Sequence, residues 1–161
     1  MDILSTFKKH EQYIQALEVA RSRNWKKWQE GASLLEIKAA LEFKPWLLDR
    51  PSLNLTKIEE KAGLPYRSLY TLTNKDTILL PEHMRSINPV LAPFGWLTVP
   101  EKCPIKQFIL QRQELLPMAK LEKEVGVAPY IIDNHVNKNW KMSHDTHVKC
   151  MKILPKYGYS E

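Results

Sequence analysis

Residues 53–96 align without a gap to residues 116–159, at an offset of 63. Leu53, Lys57, Glu59, Gly63, Asn74, Lys75, Leu91 and Gly95 recur as Leu116, Lys120, Glu122, Gly126, Asn137, Lys138, Leu154 and Gly158. Conservative pairs lie between them: Ile58 with Leu121, Leu64 with Val127, Leu69 with Ile132, Val90 with Ile153, Phe94 with Tyr157, Trp96 with Tyr159. The mid-repeat glycines, the Asn-Lys pairs and the aromatic-Gly-aromatic ends all fall in register, which marks a duplication. A repeat of this length requires the chain to build one arrangement of elements twice. A short apolar segment precedes each copy, with Trp46 and Leu47 aligned to Ile109 and Leu110 at the same offset.

Each copy reads as short helices. The first is expected over residues 56–62 and 118–125, stopped by a glycine that can take the left-handed conformation. A three-residue turn comes next (63–65 and 126–128), then a second helix over 66–73 and 129–136. Pro129 suits a first helical turn, where its missing N–H costs nothing. The Asn-Lys pair closes this helix, and a third begins near Pro81 or after Ser143 and ends at Gly95 or Gly158. Leu69, Leu72, Ile132 and Val136 are expected in the core. Ahead of the repeats, Phe7, Ile14, Leu17, Trp25 and Trp28 form the stripe of an amphipathic helix ending at Gly31. Ser33 and Glu36 then form a capping box for a second helix. Pro45 should break that helix, leaving short pieces around residues 46–49.

Within each copy the stretch from Gly63 to Asn74, and more loosely from Gly126 to Asn137, resembles the helix-turn-helix of the lambda-repressor-like (Cro/XRE) family. That pattern runs glycine, apolar residue, a capping position, exposed residues, an aliphatic, two exposed residues, an apolar residue, one more, then asparagine. Pro65 and Ala128 depart from it at the capping position, His135 replaces an apolar residue, and Lys75 and Lys138 stand where a glycine usually comes after the asparagine. The resemblance implies an all-α fold: an N-terminal helical segment (1–40) followed by two tandem helix-turn-helix bundles (41–98 and 103–161). It also implies sequence-specific binding of double-stranded DNA, as in a transcriptional regulator of a bacterium or mobile element.

The outer face of the second helix would enter a major groove. In the first copy it carries Tyr66, Arg67, Tyr70 and Thr71, with Arg67 suited to guanine edges. Thr56 and Lys75 are placed at helix ends for phosphates. In the second copy the face carries Tyr130, Asp133 and Asn134, with Lys138 at its end. Asn134 suits adenine, whereas Asp133 repels phosphate, so the first copy is the stronger reader and the second is free to pack on protein. The other reading is a non-catalytic phage structural, packaging or assembly protein that uses these units for protein interaction. A homodimer or protein partner is expected through the N-terminal helix.

Composition excludes more than it selects. The chain has 161 residues, 24 Lys+Arg against 18 Asp+Glu, and is 43% hydrophobic, which suits a folded chain and permits an anionic partner without demanding one. No phosphate-cradling glycine motif occurs. The two cysteines, Cys103 and Cys150, make no disulfide framework, so a reducing cytoplasm is expected. No apolar run is long enough for a membrane span, and the first residues carry no secretion signal pattern. His144, His147 and Cys150 recur every three residues on one helix, but His147 and Cys150 align with Met84 and Ile87 and are expected in the core. The pair Glu59-Glu60 is expected on a solvated face. No catalytic residue, metal or cofactor is assigned, and an enzyme is not expected.

Overall fold

The computed structural model describes residues 33–161 apart from Asp76. The amphipathic stripe over residues 1–30, its stop at Gly31 and the partner surface assigned to it lie outside the described residues. Eight α-helices dominate the described residues. The first, α1 (Leu34–Leu48), opens with the expected capping box: the Ser33 hydroxyl accepts from the Glu36 N–H, and the Glu36 carboxylate accepts from the Ser33 N–H. Contrary to expectation, α1 runs through Pro45 and across the boundary placed at residue 40. An interior proline removes a hydrogen bond, at a cost of about 3 kcal/mol. Burial of Ile37, Ala40, Leu41, Phe43 and Leu47 along the same helix offsets it.

The first copy continues with α2 (Leu55–Ala62), α3 (Ser68–Asn74) and α4 (Pro81–Leu91), which ends in a 3-10 turn over Ala92–Phe94. The second holds β1 (Glu101–Lys102), α5 (Ile105–Leu110), α6 (Met118–Val125), α7 (Ile131–Lys138) and α8 (His144–Ile153). A 3-10 turn over Leu154–Tyr157 then leads to β2 (Tyr159–Ser160). β1 and β2 pair in parallel, Glu101 opposite Tyr159. This small sheet is an addition to an otherwise helical architecture.

The repeat is visible in the core. Leu53 and Leu116, Ile58 and Leu121, Leu69 and Ile132, Ile87 and Cys150, Leu91 and Leu154, Phe94 and Tyr157, and Trp96 and Tyr159 are all buried pairs. Leu72 and Val136 are buried too, but at non-equivalent positions, three and four residues after Leu69 and Ile132. Upstream of residue 53 the offset becomes 62. Phe43 and Leu47 are buried like Ile105 and Ile109, while Leu48 and Leu110 are both exposed. Trp46 therefore corresponds to Phe108 rather than Ile109: it lies 5.2 Å from Trp96, as Phe108 lies 5.1 Å from Tyr159.

The two copies meet along a seam whose contacts are reciprocal. Arg50 of the first copy donates from Nε to the Lys156 carbonyl of the second. Arg112 of the second donates from Nε to the Pro93 carbonyl of the first at 2.8 Å. Each arginine also bonds the carbonyl four residues back, of Trp46 or Phe108, and lies over that residue's ring at 4.1 and 3.8 Å. Because Pro93 and Lys156 are equivalent, contact and counter-contact are the same, which is the mark of a two-fold, isologous interface. Gly95 and Gly158 meet near this axis: a Cβ on Gly158 would lie 2.6 Å from the Gly95 nitrogen.

One flank of the seam is polar. Ser52 Oγ donates to the Glu124 carboxylate, the Tyr157 hydroxyl donates to the same carboxylate and accepts from the Ser52 N–H, and Lys156 pairs with Glu124. At the other flank the positions equivalent to Glu124, Tyr157 and Lys156 hold Lys61, Phe94 and Pro93, and Lys61 pairs across the seam with Glu114 at 2.8 Å. There the surface opens into a cleft of about 390 Å³.

Candidate nucleic-acid interface

The two second helices owe their placement to a link built twice. Gly63 and Gly126 end α2 and α6 in the left-handed conformation, with φ of 69° and 86°. Leu64 and Val127 then donate their N–H groups back to the Glu59 and Glu122 carbonyls, at 2.9 and 3.1 Å. The link is five residues rather than the expected three, and α3 and α7 begin at Ser68 and Ile131, two residues later than expected. The cause is backbone conformation: Arg67 and Tyr130, at equivalent positions, have φ of 66° and 70°. A side-chain-bearing residue pays roughly 1–2 kcal/mol for that region, so both sites are strained and both are compensated.

The compensation comes from a glutamate. Glu59 is 4% exposed, and its carboxylate accepts from the Leu69 N–H at 2.9 Å. Glu122, equally buried, accepts from the Ile132 N–H at 2.9 Å and the Asp133 N–H at 3.2 Å. Each glutamate thus reaches across the link and caps the next helix, where free N–H groups and the positive end of the helix dipole favour an anion. The solvated face expected for Glu59 is corrected accordingly; only Glu60, paired with Lys57 at 3.2 Å, fits it. The signal was present in the repeat. Glu59 matches Glu122, while the adjacent Glu60 and Lys61 become Lys123 and Glu124 with signs reversed.

In the first copy the structure gathers most of the expected residues. Thr56, Tyr66, Arg67 and Tyr70 line one cleft of about 360 Å³, together with Lys120 from the second copy. Tyr66 is 80% exposed and Tyr70 51%. The Arg67 guanidinium lies over the Tyr70 ring at 4.4 Å, which holds the charge against the wall of the cleft. Arg67 and Tyr66 precede α3 rather than riding on it. Thr71 faces a neighbouring cleft with Ser68 and His83. Lys75 caps the far end of α3, exposed, its carbonyl accepting from Lys44 Nζ at 3.0 Å. Lys120 was not expected here, although its identity with Lys57 could have flagged it.

The second copy presents a different surface. Tyr130 is 67% exposed and stands ahead of α7, beside an exposed Ile131. Asp133 accepts from the Asn137 amide, Asn134 is half-buried on the same helix, and Lys138 is exposed at its last residue. His135 bonds the Trp140 carbonyl through Nδ1 at 2.7 Å, which explains how a polar residue replaces an apolar one here.

The histidine and cysteine constellation on α8 comes apart. Cys150 is fully buried and its thiol is pushed up to about 11 by burial, so it packs as a small apolar group. His147 is not in the core as expected: it is half-exposed and lies 3.4 Å from the Glu161 carboxylate. His144 is exposed. Among the described residues no group of three or more His, Cys, Asp or Glu side chains is arranged to hold a metal ion. Nor is any described helix long and apolar enough to cross a membrane. No family model, curated protein or solved structure matches the chain.

Proposed function

We propose that the chain is a non-catalytic, sequence-specific binder of double-stranded DNA. On this reading it comprises two tandem helix-turn-helix units of the lambda-repressor-like kind and acts as a transcriptional regulator of a bacterium or mobile element. The observation that carries the reading is the exposed Tyr66, Arg67 and Tyr70 face, held ahead of and along a helix that a buried glutamate caps. A helix fixed in this way can present its outer surface to a major groove. In this role Arg67 pairs with guanine edges, and Thr56, Lys75, Lys120 and Lys138 approach phosphates.

Titration of salt against binding to random duplex DNA tests it. Affinity should fall steeply as salt rises, in proportion to the phosphates contacted. Absence of binding at low salt would reject the reading. At the residue level, Lys75→Ala should weaken binding to all sequences alike, whereas Arg67→Gly should lower sequence preference; indistinguishable effects would refute the separate roles. A second reading, a phage structural, packaging or assembly component, draws on the second copy. There exposed Tyr130 and Ile131 beside Asp133 suit a protein surface better than a phosphate backbone.

A further inference from the structure

Resting on the DNA-binding reading, we propose that a single chain occupies a duplex site composed of two unlike half-sites, one per copy. Helix-turn-helix proteins that bind as symmetric dimers mirror their two-fold in a palindromic site. Here the two-fold lies inside one chain. Arg50 reaches Lys156 as Arg112 reaches Pro93, and these closed, reciprocal contacts need no second molecule. A rotation of this kind makes α3 and α7 equivalent about one axis, the relation that paired recognition helices have on a single duplex.

The two faces carry different chemistry at those positions. Arg67 of the first copy matches Tyr130 of the second, Tyr70 matches Asp133, and Thr71 matches Asn134. A guanidinium pairs with guanine O6 and N7, whereas a carboxamide pairs with adenine N6 and N7 and a carboxylate accepts from cytosine N4. The first half-site is therefore guanine-bearing at the position under Arg67. The second is read by Asn134, with an adenine in the strand it faces, while Asp133 stays bonded to the Asn137 amide. The Gly95–Gly158 approach leaves no room for a spacer in the seam. Separation of the half-sites is consequently fixed, and it admits one spacing.

The test is selection of bound sequences from a random duplex pool with the full chain, followed by stoichiometry on the selected duplex. Expected is one chain per duplex and a motif of two dissimilar blocks. Arg67→Gly, which suits the left-handed backbone at that position, should flatten one block, with about a tenfold loss of discrimination there. Asn134→Ala should flatten the other, and Asn134→Gln, which keeps the carboxamide, should retain part of it. Inserting about five base pairs between the blocks turns one to the opposite side of the duplex and should abolish joint binding. A palindromic motif with two chains bound, or a single block indifferent to the Asn134 substitutions, would overturn the proposal while leaving DNA binding intact. No binding to any duplex at low salt would overturn both.

Discussion

Glu59 and Glu122 are buried carboxylates whose partners are main-chain N–H groups of the succeeding helix. Truncating either leaves those donors unpaired in the interior, so Glu59→Ala and Glu122→Ala should each cost about 1–3 kcal/mol. Glu60→Ala, on the exposed side of the same turn, should stay within about 0.5 kcal/mol; denaturant midpoints compare the three. Arg67 offers the converse case. Its φ of 66° is available to glycine without strain. Arg67→Gly should therefore hold or raise stability by up to about 1 kcal/mol, and Arg67→Val should lower it by more. A fall in melting temperature for the glycine variant would mean that the Tyr70 stacking outweighs the backbone strain. Neither role could be read from a helical periodicity alone. Glu59 sits beside Glu60 and Lys61 in a run of charge, and what buries it is the N-terminus of another helix, a tertiary fact. Its identity across the repeat was legible; its reason was not.

At the level of elements, the positions of glycine predicted helix ends well. Residues 118–125 form a helix as expected, and both third helices close at Gly95 and Gly158 through a 3-10 turn. The starts were less legible. Pro65-Tyr66 and Ala128-Pro129 look like first helical turns, yet the left-handed residue after each delays the helix. Proline misled once more at residue 45, where local propensity argued for a break and packing of the helix's apolar face prevailed. Pro45→Ala restores a hydrogen bond but also loosens the unfolded chain, and should raise stability by about 1–2 kcal/mol net, as measured by thermal unfolding. The one-residue slip from offset 63 to 62 falls between Arg50 and Leu53. A gapless alignment hides it, because neighbouring apolar residues match acceptably in either register.

For the whole molecule, the seam decides stability. Gly63 and Gly158 both have positive φ, but only Gly158 faces another backbone. Gly63→Ala should cost about 1 kcal/mol, and Gly158→Ala considerably more, because the Gly95 nitrogen is fixed. The polar flank adds a pH dependence. Burial pushes the Glu124 carboxyl up, but hydrogen bonds from Lys156, Ser52 and Tyr157 outweigh it, so its folded value lies below the ordinary 4.5. A depressed carboxylate contributes its full stabilisation above the unfolded value and loses it as pH falls through the folded one. Acid unfolding should thus steepen below about pH 4.5 and flatten in Glu124→Gln; an unchanged profile would exclude Glu124 as the source. The two flanks also differ in a way that two separate, identical chains could not sustain. In a homodimer every substitution appears on both sides of the axis, so Glu124 and Lys61 could not occupy the same position at once. Joining the copies in one chain frees each flank from serving both sides of the axis. Severed between residues 97 and 103, the halves should recombine with each other in preference to forming pairs with themselves.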